Sequence, residues 1–190
     1  MLRPIRLTAF AAAVAFASPL LAADPAATRI GAYDDAVVAI MKAKLPTAAR
    51  IERFEGLVRS YYDMPGIAAL VVGPAWTSAS AADRQAATAA LAHHSAVSLA
   101  RNFKSYGGES FTVDPTVTTR GANRIVKVTI NSDVLLYQLH QAGGDWKIVD
   151  VVSGGVSQLA VQRSDLASTV ANGRAAGLAK RLQEVDAKVK

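Results

Sequence analysis

The chain has no cysteine among its 190 residues. That excludes a disulfide framework, a thiolate zinc site, a thiol nucleophile and a cysteine-borne lipid anchor. Histidine is scarce, at three (His93, His94 and His140), and aromatic side chains make up only 6%. His93 and His94 are neighbours, and adjacent helical side chains diverge by about 100°, so they do not readily address one metal. No carboxylate spacing completes a ligand set around them, and no metal or other cofactor is expected. Glycine pairs occur, but neither G-x-G-x-x-G nor G-x-x-x-x-G-K does, which removes the nucleotide cradles. Basic residues are scattered rather than clustered, so nucleic acid is not an expected partner. No internal repeat, low-complexity tract or long linker argues for a second domain.

Apolar residues account for 51% of the chain, much of it alanine, and the net charge is +6. The positive balance suits contact with anionic lipid or an acidic partner. Residues 1–23 place two arginines before an alanine-rich apolar run that ends in small residues. This is the pattern of a secretory signal peptide, too short and too small in side-chain volume for a membrane span. Cleavage is expected after Ala22 or Ala23, leaving residues 24–190 as a single exported domain.

The next stretch reads as helical. Residues 26–28 form a lead-in, and Ile30, Tyr33, Val37, Ile40, Met41 and Leu45 recur at helical spacing up to Pro46. Thr47 is placed to cap a second helix, with Ile51, Phe54, Leu57, Val58 and Tyr61 inward. Asp63 is placed to cap a short third helix that opens on Met64-Pro65 and stops at Gly73-Pro74. Ser80 and Asp83 have capping-box spacing for a long helix over 81–106.

Gly107-Gly108 ends that helix, and extended segments follow. The expected inner face of the sheet is Val126, Val128, Ile130, Leu135, Tyr137, Leu139, Trp146 and Ile148, because these alternate with polar residues between short turns. Gly154-Gly155 turn the last strand into a helix that starts near Ser157, and Asn172-Gly173 precede a final helix over 174–185. Strands following helices imply an α+β fold, with N- and C-terminal helices packed over a twisted antiparallel sheet of about four strands.

Chemistry is hard to find. Ser157 sits at a strand-to-helix turn, the setting of a hydrolase nucleophile, but the second glycine of G-x-S-x-G is absent and no histidine follows residue 140. Ser157 therefore reads as a helix cap. Asp150 falls on a strand face with Trp146, Ile148 and Val152, where a carboxylate needs a partner. Arg163 is the candidate partner; alternatively its guanidinium contacts a lipid phosphate.

The segment 145–166 carries a resemblance. Trp146, Lys147, Asp150, Val151, Gly155, Ser157, Arg163 and Ser164 stand in the order of the C-terminal signature of the MlaC-type periplasmic phospholipid-binding family, the toluene-tolerance auxiliary proteins. Gln162 departs from the tyrosine that many of these carriers have before the arginine. A second stretch, from Asp63-Met64-Pro65 through Gly73-Pro74-Ala75-Trp76 to Asp83-Arg84, resembles the same family, so the likeness runs from about residue 51 to the end. The wording VSQLAVQRS is similar to the hopanoid-associated HpnM branch.

The resemblance implies a non-catalytic carrier that shuttles a phospholipid or hopanoid-type lipid across the periplasm. Its implied partners are an inner-membrane lipid ABC transporter system and an outer-membrane complex, with transient membrane contact and the bound lipid as cargo. An apolar cavity is then expected between the layers. Its expected lining is Leu70, Trp76, Leu99, Phe103, Tyr106, Val126, Val128, Leu135, Tyr137, Trp146 and Ile148, with Arg163 near the headgroup. Two other readings compete: a secreted serine-type hydrolase, or a protein-binding adaptor of the same fold with a packed core.

Overall fold

The computed structural model describes residues 23–188; the expected leader lies outside them. Helix α1 (Pro25–Lys42) starts earlier than its apolar spacing suggests. Asp24 accepts a hydrogen bond from the Ala26 N–H, and proline at the first helical position costs no hydrogen bond. The expected lead-in at 26–28 is thus helix, with Ala26 and Ala27 buried. Helix α2 (Thr47–Tyr61) follows, with Pro46 rather than Thr47 at the cap position. Asp63 caps α3 (Met64–Val72) through the Gly66 N–H at 3.1 Å. A 3-10 turn (Gly73–Trp76) then leads to α4 (Ala81–Asn102), where Ser80 accepts from the Asp83 N–H. Helix α4 ends short of Tyr106 because Phe103 leaves helical geometry at φ −110°, ψ 63°.

Six strands form one antiparallel sheet: β1 (Phe111–Val113), β2 (Thr118–Arg120), β3 (Asn123–Ile130), β4 (Asp133–Ala142), β5 (Asp145–Ser153) and β6 (Val156–Ser157). Their order is β1-β3-β4-β5-β6, with β2 also paired to β3. The strands beyond the expected four or so are short pieces; β2 and β6 have three and two residues, too few for alternation to show. Val126, Val128, Tyr137, Leu139 and Ile148 are buried beneath the helices, and Ile130, Leu135 and Trp146 pack against that core. The architecture is α+β, an open sheet with helices on one face.

One irregularity reverses an expectation. Leu139 pairs with Ile148 but Gln138 pairs with Asp150, so Val149 is an extra residue in β5. A bulge of one residue inverts alternation beyond it. Val151 and Ser153, opposite Tyr137 and Leu135, therefore share the inner face with Ile148. Asp150 shares the other with Gln138 and does not lie on the Trp146–Ile148 side.

The final helix, α5 (Gln158–Asp186), is continuous only in name. Arg174 has φ 52°, ψ −144°, so the break falls next to the expected Asn172-Gly173 cap but is made by the arginine. In a straight helix residues 169 and 177 would stand about 12 Å apart. Here a Cβ on Gly177 would lie 3.4 Å from the Thr169 carbonyl oxygen, so the chain folds back sharply. The buried residues of α5 (Ala175, Leu178, Ala179, Leu182 and Asp186) all follow the break. Residues 158–173 form an arm with no buried residue.

A backbone conformation that suits glycine costs an arginine about 1–3 kcal/mol. Replacing Arg174 by glycine is expected to raise stability by about 1 kcal/mol after the added unfolded-chain entropy, or roughly 2–4 °C in Tm. Thermal unfolding followed by circular dichroism checks this; a fall in Tm contradicts the strain.

Candidate functional site

The arm, the remainder of α5, α4 and the inner sheet face surround a cavity of about 900 Å³. That is at the upper end of the range for small-molecule sites. Helix α4 contributes His94, Ser95, Ser98, Leu99, Asn102 and Phe103. The sheet contributes Leu135, Tyr137, Val149, Val151 and Ser153, the last two turned inward by the bulge. The arm adds Leu159, Val161, Gln162, Asp165 and Leu166, and the segment after the break adds Arg181, Leu182 and Val185.

The cavity is two-natured. Tyr33, Ile67, Tyr137 and Leu182 are buried and make the floor, while Ser98, Asn102, Gln158, Asp165, Ser168 and Arg181 are exposed and make the rim. Two tethers hold the walls. Asp150 accepts hydrogen bonds from the Ser157 hydroxyl at 2.6 Å and the Leu159 N–H at 3.0 Å, and Ser157 in turn caps the arm through the Ala160 N–H. At the other end His94 Nδ1 lies 2.9 Å from Oδ1 of the buried Asp186, joining α4 to the last turns of α5.

In the floor the Tyr33 ring meets those of Tyr61, Tyr62 and Tyr137 edge-on, at 5.4, 5.9 and 5.8 Å between centroids. The Tyr33 and Tyr62 hydroxyls are 3.1 Å apart. Burial pushes the Tyr62 phenol up to about 12 and raises those of Tyr33 and Tyr137 well above their ordinary value. All three therefore present neutral hydroxyls. Asp34, one residue along α1, is 3% exposed, and neither carboxylate oxygen has a hydrogen-bond partner among the described residues. Burial, with Asp35 adding repulsion, raises its carboxyl to about 7.

Of the residues expected to line a cavity, Leu99, Phe103, Leu135 and Tyr137 do so. Val126, Val128 and Ile148 are buried in the core beneath it. The remaining residues stand elsewhere. Leu70 is 47% exposed on α3, and Trp76 stacks near the Arg84 guanidinium at 5.8 Å. Tyr106 is covered by Lys42, and Trp146 by Arg124 at 5.3 Å. Arg163 is exposed and is not part of the lining. The Asp150–Arg163 pairing is corrected: Asp150 is occupied by the arm's first turn, because the bulge turns it toward that helix start. Sequence reasoning missed Tyr33, Ile67, Leu159, Leu166 and Leu182 as lining. Leu159 and Leu166 are spaced i, i+7 on the arm, which is the signal that marks its inward stripe.

Ser157 has no histidine near it among its hydrogen-bond partners, which are Asp150 and the Ala160 N–H. His93 instead pairs with Glu55, and His140 with Asp63 at 2.9 Å. Among the described residues no three histidine or acidic side chains group as a metal site, and no helix is long and apolar enough to cross a membrane.

Comparison with known proteins agrees with this fold. A family profile described as MlaC protein matches residues 32–184. The chain belongs to the MlaC family. Its fold is similar to that of a phospholipid-binding protein from Ralstonia solanacearum solved in complex with a phospholipid, with a TM-score of 0.67 at 19% identity. That likeness covers 87% of this chain and 98% of the other. No curated protein matches the chain.

Asp34 gives the floor a pH signature. The folded state holds its proton up to about 7, whereas an exposed carboxyl releases it near its ordinary value of 3.8. Stability from this group therefore falls as pH rises through that window. Asp34→Asn is expected to remove that slope and to stabilise the protein at pH 8 by on the order of 2–4 kcal/mol, with little change at pH 4. Urea unfolding at the two pH values is the measurement; equal changes at both would contradict the assignment.

Proposed function

We propose that this chain is a periplasmic lipid carrier: exported through a leader at 1–23, folded as one domain over 24–190, and non-catalytic. Its cargo is a phospholipid or a hopanoid-type lipid, carried between the inner and outer membranes. The observation that carries the reading is the cavity of about 900 Å³ with a buried apolar floor and a polar rim. Sheltering a methylene from water is worth roughly 0.8 kcal/mol, so a sixteen-carbon chain needs about 12 kcal/mol of apolar enclosure. Leu99, Phe103, Leu135, Val151, Leu159 and Leu166 offer such surface around one void.

Membership of the MlaC family supports the lipid and the compartment. The phospholipid held by the Ralstonia solanacearum protein, whose fold this chain shares, supports the cargo class. The hopanoid alternative rests on the HpnM-like wording of residues 156–164. An inner-membrane lipid ABC transporter system and an outer-membrane complex are the matching partners, met through brief membrane contact. The packed-core adaptor has no use for a hollow of this size. A serine hydrolase centred on Ser157 is disfavoured by the hydrogen bonds that already occupy its hydroxyl.

Mass spectrometry of the natively purified protein is expected to detect co-purified lipid. Leu99→Asp, at a half-buried wall position, sets an unpaired carboxylate against the tail and should cut uptake from vesicles at least tenfold while the fold persists. Wild-type protein that neither carries nor acquires lipid would sink the proposal.

A further inference from the structure

The cavity's polar rim is specific in its charge. Besides the buried tyrosines, the acidic and basic side chains that line the cavity are His94, Asp150, Asp165 and Arg181. Asp150 is committed to capping the arm, and His94 is tethered to Asp186. A carboxylate only accepts, so His94 Nδ1 carries the proton of that contact. Asp165, on the arm, and Arg181, after the break, are both exposed, and neither forms an ion pair among the described residues. One carboxylate and one guanidinium thus face a shared opening, set among neutral groups such as Ser98, Asn102 and Gln162.

This arrangement sorts lipid headgroups. A purely anionic headgroup meets Arg181 but also Asp165, and its negative charge gains little net. A choline headgroup has no N–H to donate and is held best by open aromatic faces. The lining aromatics are at least half-buried, and Tyr33 and Tyr137 belong to the floor rather than the rim. A primary ammonium donates three hydrogen bonds, which Asp165, Gln162 and the rim hydroxyls can accept, while the phosphate beside it takes Arg181.

Building on the carrier reading, we infer that the site selects zwitterionic phospholipids whose headgroup carries a primary amine, with Asp165 receiving the amine and Arg181 the phosphate. The exported domain keeps a positive balance, the chain's +6 less Arg3 and Arg6 of the leader, which pulls the other way, toward anionic bilayers, so selectivity of this kind separates the rim from bulk electrostatics.

The test loads the lipid-stripped protein from vesicles of equal parts phosphatidylethanolamine, phosphatidylglycerol and phosphatidylcholine with matched acyl chains, and counts the bound species by mass spectrometry. Ethanolamine lipid should be enriched about threefold over either competitor, the order of one exposed ion pair. Asp165→Asn should abolish that enrichment, and Asp165→Lys should shift it toward phosphatidylglycerol. Both changes lie on an exposed position, and an unaltered Tm confirms the fold. Equal loading of the three lipids, or a glycerol preference in the unmodified protein, overturns the headgroup assignment while leaving the carrier intact. Absence of all lipid overturns both.

Discussion

The cavity depends on an arm that is fastened at its ends and has no fully buried residue between them. The Asp150 carboxylate takes the Ser157 hydroxyl and the Leu159 N–H, and the fold-back at Arg174 returns the chain to a buried stretch at 175–186. Apolar side chains normally close any gap they can reach, because burial is worth about 25 cal/mol per Å². Here Leu159 and Leu166 line the void and stay only half-buried, because the helix that bears them is anchored to the sheet edge and to the break. Rigid anchors, not repulsion, keep the layers apart.

The bulge at Val149 is what makes the first anchor. Without it, Asp150 would share a face with Ile148, whose side chain is fully buried. An ionised carboxylate there would need a partner from the core. Shifted by one position, it reaches N–H and hydroxyl donors at the start of α5, while Val151 turns inward to complete the apolar wall. A single inserted residue thus serves both the hydrogen-bonded and the apolar part of the site.

Much of this architecture is legible in the sequence. Asp63, Ser80 and Ser157 advertise three helix starts through residue type and spacing, and alternation in β3 and β4 identifies the inner face. What sequence cannot carry is register and approach. Alternation in β5 reads as unbroken because no glycine or proline marks Val149. Trp76, Tyr106 and Trp146 look like lining because large aromatics bury easily, but none reaches the cavity: each ring lies beside a cation, and Trp76 and Trp146 pack against the core away from the void. The arm's lining went unseen for a different reason: in a lone sequence, a helical stripe facing a void reads the same as one facing a core.

The fold-back at Arg174 also sets the geometry of entry. A rod held at both tips cannot lift away at one end; it can only roll about the line through its two attachments. Any widening of the slot would therefore run along the rod's full length, giving an opening as long as the arm rather than a narrow hole at one end.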